Sequence, residues 1–113
     1  MIVSLSDLKE HCRVDGDDQD ALIATYGRAA ERAVSQHLDR PIYAPGDLPS
    51  ESDPGYDRYQ IEANEDIAVS IMQIVADMNE RRGTSGGADE TAVIPQSARW
   101  LLAPYRVFFK AQS

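Results

Sequence analysis

The chain has 113 residues, of which 19 are Asp or Glu and 11 are Lys or Arg, so its formal net charge is −8. A chain of this length folds as one domain with a modest core and little room for a buried active site. Its negative charge should repel nucleic-acid phosphates and anionic lipid. The sequence has no run of the ~18 apolar residues that span a bilayer, and its opening lacks the pattern of a signal peptide. We therefore expect a soluble protein that is made in the cytoplasm and binds no membrane.

The N-terminal segment predicts a short helix that begins after Ser4. Ser4 and Asp7 have the spacing of a capping box, in which the serine hydroxyl accepts a hydrogen bond from an otherwise unpaired backbone N–H. Leu8 and Cys12 then lie on one side of this helix. The acid-rich segment around Gly16 is expected to end it.

A long second helix is predicted from near Asp17 or Asp18 to about Asp39. Apolar residues recur at helical spacing in two adjacent stripes, which gives a wider apolar face than one helix pair requires. Small residues on this face would let a neighbouring helix approach closely. Pro41 ends the helix, because the residue before a proline is disfavoured in the α region. The candidate subunit-interface residues are Ala29, Ala30, Ala33 and His37, with a place in the core as the alternative for the histidine.

Residues 41–58 predict a long loop rather than a helix. They contain four prolines and two glycines, with acids and serines between Asp47 and Asp53. Loops of this length in a small domain tend to be functional or disordered. The composition therefore marks this loop as a candidate functional surface.

Two further helices complete the predicted fold. The third runs from about Tyr59 to Arg82, where Gly83 supplies a C-terminal stop, and residues 83–91 form a second flexible connection. The fourth is short, from Gln96 to Ala103, and is ended by Pro104. The predicted class is all-α, a small bundle of two long and two short helices.

No pattern in the sequence points to a metal, a cofactor or a catalytic centre. The acidic run that starts at Asp15 resembles a calcium loop, but Asp20 replaces the glycine at position 6 and Tyr26 replaces the glutamate at position 12. We interpret these acids as caps of the second helix. The two histidines and the single cysteine lack the spacing of zinc ligands, and one cysteine cannot form an internal disulfide. We therefore expect no cofactor and no enzymatic activity.

The C-terminal segment differs in composition from the rest of the chain. It holds four of the eight aromatic residues, together with positive charge and no acid after Pro95. Beyond Pro104 the aromatic and basic residues alternate with the period of a strand. Two interpretations are open, a tail folded back on the core or an exposed docking segment. We divide the chain into a helical domain of residues 1–103 and an extended docking tail of residues 104–113.

Three segments together resemble the head–tail connector (adaptor) proteins of long-tailed phages, which are often described as DNA-packaging proteins. They are Ser4–Asp15, the acid-rich step Gly16–Ile23 and the ending Ile94–Arg106. The resemblance implies a structural subunit of the virion that forms a homo-oligomeric ring, a dodecamer, under the portal protein at the head–tail junction. The ring would extend the channel for double-stranded DNA, without binding it specifically, and provide a platform for the next head-closure or tail protein. The loop between Pro41 and Tyr59 departs from the family in its length and acidity.

This resemblance gives the candidate residues their expected roles. The portal-docking tail would consist of Tyr105, Arg106, Val107, Phe108, Phe109 and Lys110, braced by Trp100. The acids expected to face the DNA channel and repel phosphates are Asp47, Glu51, Asp53 and Asp57. The competing interpretation packs this loop between subunits. An alternative function from another class is a cytosolic helical regulator or adaptor that binds one protein partner and forms no ring.

Overall fold

This computed structural model describes residues 2–84 and 93–107 of the chain. They contain four helices and one pair of short parallel strands. The helices pack as a small bundle, so the predicted mainly helical class is confirmed. The elements are α1 (Leu5–Cys12), α2 (Asp20–Leu38), β1 (Ile42–Tyr43), β2 (Ile61–Glu62), α3 (Glu65–Thr84) and α4 (Gln96–Leu102), followed by a 3₁₀ turn at Ala103–Tyr105.

The predicted cap of α1 is present. The Ser4 hydroxyl accepts a hydrogen bond from the backbone N–H of Asp7 at 3.1 Å, and Leu8 is fully buried on the inner side of the helix. Arg13 ends the helix in the left-handed region, with φ of 58°, and its N–H donates to the Glu10 carbonyl.

The acids before α2 do not cap that helix, so this part of the prediction is wrong. The N-cap is Gln19, and no side chain makes the capping hydrogen bond. Asp17 and Asp20 lie 3.2 Å and 2.8 Å from Nζ of Lys9 instead. These ion pairs raise the pKa of Lys9, chiefly through Asp20. The acidic step therefore ties the end of α1 to the start of α2.

The third helix begins later than predicted, at Glu65 rather than Tyr59, because the preceding residues are extended. Ile61 of β2 pairs in parallel with Ile42 of β1, and its N–H donates to the Pro41 carbonyl at 3.0 Å. The side chain of Asn64 then accepts a hydrogen bond from the N–H of Ile67 at 3.0 Å. This Asn cap starts α3 where the extended backbone stops.

The core lies where α2 and α3 pack against each other, with α1 across both helices and α4 against α3. No helix in the described ranges is long and apolar enough to cross a membrane. The largest fully buried core side chains come from all four helices, and they are Leu8, Ile23, Tyr26, Val34, Leu38, Ile67, Ile71, Ile74, Val75, Met78 and Leu102.

Candidate interaction surfaces

The C-terminal segment is held against the domain as far as Val107. The chain does not become extended at Pro104, because Pro104 lies inside the 3₁₀ turn that follows α4. The hydroxyl of Tyr105 donates to a carboxylate oxygen of Asp66 on α3 at 2.8 Å. The N–H of Val107 donates to the carbonyl of Leu38, the last residue of α2, at 2.9 Å. The first part of the predicted tail is thus bonded to its own subunit.

Arg40 joins three segments that are far apart in the sequence. Its Nε donates to the Tyr59 carbonyl at 2.5 Å, and its Nη1 donates to the Tyr105 carbonyl at 3.1 Å. Its own carbonyl accepts from the Ser35 hydroxyl at 2.8 Å. Sequence patterns did not identify this role, because the carbonyl partners of Arg40 are distant along the chain. Arg40 connects the end of α2, the end of the acidic loop and the C-terminal segment.

The residues predicted to dock on a partner have different environments. Tyr105 and Val107 are half-buried and Arg106 is exposed. Trp100 is 74% exposed, and α4 packs on the core through Ala98 and Leu102 instead. Phe108, Phe109 and Lys110 lie outside the described residues, so the docking role of the tail and the brace role of Trp100 stay predictions.

His37 lies half-buried on α2, close to the charges of the C-terminal part of the chain. Burial lowers the pKa of its imidazole, and the positive charges of Arg106 and Arg99 lower it further. Both causes disfavour the protonated ring. His37 is therefore half-buried and lies within electrostatic range of Arg99 and Arg106.

We expect the stability of the folded chain to fall as the pH drops below 6.5, the ordinary pKa of a histidine. The lowered pKa of His37 means that the unfolded chain binds a proton more readily than the folded chain. This loss stops once the pH has passed the folded-state pKa. Urea unfolding of wild type and His37→Gln at pH 7.5 and pH 5.5 measures it, and the substitution should flatten the difference. His11→Gln, at an exposed position of α1, is the matched control and should leave the difference unchanged.

Only part of the predicted alanine patch on α2 reaches the surface. Ala30 is fully buried in the core of its own subunit, so it has no surface left for a neighbour. Ala29 and Ala33 are half-buried, and they lie beside the exposed side chains of Arg28 and Arg32. The outer face of α2 therefore presents two arginines beside two partly buried alanines.

Hydrogen bonds between its own residues hold the acidic loop at residues 44–60 in its conformation. A carboxylate oxygen of Asp53 accepts from the N–H of Ser50 at 2.8 Å, and one of Asp57 accepts from the N–H of Tyr59 at 2.8 Å. The Gln60 side chain donates to the Pro49 carbonyl at 2.7 Å. Two of the four acids predicted to face DNA thus hold the loop in shape.

The other two acids of the loop are exposed but differ in their surroundings. Asp47 lines an open groove of about 520 Å³ that also contains Arg28 and Arg32, with Ile42 of β1 on its apolar side. Glu51 is also exposed on the loop but does not line this groove.

The described residues offer no centre for metal chemistry. Across residues 2–84 and 93–107, no three side chains of His, Cys, Asp or Glu come close enough to hold an ion. The half-buried thiol of Cys12 has a raised pKa because burial disfavours the thiolate, so it is a weak nucleophile at neutral pH.

Comparison with protein families identifies the chain. The family model described as "Phage gp6-like head-tail connector protein" matches residues 2–106 of the 113. The matched range runs from the residues before α1 to the residue after the 3₁₀ turn. No curated protein and no solved structure matches the chain.

Proposed function

Because the chain belongs to the phage gp6-like head–tail connector family, we propose that it is a ring-forming adaptor that docks under the portal at the head–tail junction. The family consists of structural components of the phage virion and is not a known enzyme family. The match over residues 2–106 is the observation that carries the proposal, since it includes every described helix. It favours this role over a cytosolic regulator without a ring.

In the proposed assembly each subunit contacts two neighbours through different faces, which is the geometry of a closed cyclic ring. The ring shares the symmetry axis of the portal and extends the DNA channel. Its lower side receives the next head-closure or tail protein. Double-stranded DNA passes through it without being bound specifically.

Electron microscopy of the purified protein, alone and mixed with the portal protein from the same phage genome, tests the proposal. The expected result is a ring stacked on the portal, and assembly that needs the portal as a template is compatible with it. A neck reconstruction with this chain outside the ring would exclude the adaptor role. A monomer that binds neither portal nor its own copies would favour the regulator.

We place the portal contact of the tail after Val107. The backbone of Tyr105 and Val107 is already bonded to Arg40 and Leu38 of the same subunit. Phe108, Phe109 and Lys110 are then the residues left to reach the portal. A segment of this kind binds by adding to an exposed strand edge, where aromatic side chains contribute most of the affinity.

The acidic loop is proposed to face the channel, where its charge keeps the packaged DNA sliding. The test replaces Asp47 and Glu51 with lysine and leaves Asp53 and Asp57, which hold the loop together. Assembled rings of this variant are expected to bind DNA with a strong dependence on salt. The matched control is Glu10→Lys with Asp18→Lys, two exposed acids outside the loop with the same change in charge. An equal gain in DNA affinity by both variants, or no gain, would contradict a channel position.

A further inference from the structure

The two long helices expose outer faces of different character. The inner faces of α2 and α3 pack against each other in the core. On α2, Arg28 and Arg32 are exposed one turn apart, with the half-buried Ala29 and Ala33 beside them. This face carries positive charge next to a shallow apolar strip.

The outer face of α3 has the complementary character. Val69, an apolar residue, is 37% exposed there, and Met72 and Ala76 follow it at helical spacing with partial exposure. Glu65 in the first turn and Glu62 just before the helix are both exposed. This face carries negative charge next to an apolar strip.

Within residues 2–84 and 93–107, none of these four charged residues forms an ion pair, although Glu31 and Asp47 line the same open groove as Arg28 and Arg32. The ion pairs within the described ranges are Lys9 with Asp17 and Asp20, and Arg81 with Asp77. The only side-chain bond of Arg28 in those ranges is to the Thr25 hydroxyl, at 3.2 Å. Both faces are thus available for contact with another molecule.

We propose that the outer face of α2 in one copy of this chain docks on the outer face of α3 in the next copy. Arg28 and Arg32 meet Glu62 and Glu65, while Val69 packs on the strip of Ala29 and Ala33. Because the two faces differ, each copy keeps one face open for a further copy, and the contact propagates until a ring closes. The proposal rests on the ring assembly proposed above and names the surfaces that form it.

The charges explain why α2 would pack against α3 of the next copy and not against α2. Opposite charges across an interface mainly favour the correct partner and orientation, and like charges disfavour the alternatives. Two copies placed with α2 against α2 would bring arginines together, and two placed with α3 against α3 would bring glutamates together. A symmetric dimer is therefore disfavoured, which leaves the head-to-tail contact.

Charge reversal in both faces provides the first test, with portal added wherever wild type needs it to assemble. R28E/R32E alone and E62K/E65K alone are each expected to lose ring formation. An equimolar mixture of the two variants is expected to recover it, because copies that alternate around the ring restore every pair of opposite charges. Unchanged assembly of either variant, or no recovery on mixing, overturns the proposal. Unchanged melting temperatures of both variants show that the subunits remain folded.

Cysteine cross-linking provides the second test. In a Cys12→Ala background, the variant with Ala33→Cys and Val69→Cys should give a ladder of dimers, trimers and larger species on oxidation. Each single-cysteine variant should give no cross-link. A dimer formed by Ala33→Cys alone would show a symmetric contact and overturn the proposal. Rings without the ladder overturn this interface and leave the adaptor role standing, whereas a wild-type chain that forms no ring even with portal overturns both.

Discussion

Truncation after Ala103 is expected to lower the melting temperature by about 10 °C, whereas truncation after Val107 should leave it within about 2 °C of wild type. The shorter chain loses the Tyr105 hydroxyl bond to Asp66, the Arg40 bond to the Tyr105 carbonyl and the Val107 bond to Leu38. The longer chain keeps all three. Thermal unfolding followed by circular dichroism measures the difference.

The same pair of truncations tests the portal anchor, because both chains lack residues 108–113. Both should fail to bind portal if that segment is the anchor. Truncation after Val107 that strongly lowers the melting temperature but keeps portal binding would mean that the segment is part of the core. Comparison of the two truncations thereby separates the effect on stability from the effect on portal binding.

Arg40→Ala is expected to reduce the free energy of unfolding by about 2–3 kcal/mol. The substitution removes two charge-assisted hydrogen bonds, to the carbonyls of Tyr59 and Tyr105, and leaves both carbonyls without that donor. Arg40→Lys should recover only part of the loss, since an ammonium group lacks the planar fork that spans two acceptors. Urea unfolding provides the measurement.

The control for this substitution is Arg32→Ala, which removes an arginine from the exposed face of α2. A surface change of this kind alters stability by about 0.5 kcal/mol or less. Equal losses for the two variants would show that Arg40 acts through general charge rather than through its carbonyl partners.

Local signals in the sequence predicted the helices that depend on local contacts. The Ser4 cap, the apolar stripes of α2 and the proline before α4 each act within a few residues, and the structure contains all three helices. The apolar spacing around Ile67 and Ile71 likewise identified α3, although its start was placed too early. Periodicity is thus informative wherever a helix buries one face.

The parallel strand pair could not be predicted, because nothing in its own residues specifies it. Each strand has two residues, too few for an alternating pattern, and the partners are separated by the whole acidic loop. The role of Arg40 could not be predicted either, because its acceptors are distant backbone carbonyls that any residue could supply. Ala30 was misplaced because buried and exposed alanines in a small-residue stripe look alike in sequence.

The strand pair gives the loop between Tyr43 and Ile61 a fixed base, and this determines what a change in loop length would cost. The entropic cost of closing a loop grows only with the logarithm of its length, by about 0.6 kcal/mol for each doubling. Residues added near Glu51 would leave the β1–β2 ladder and Arg40 in place. The loop can therefore lengthen or shorten at little cost to the stability of the helical frame.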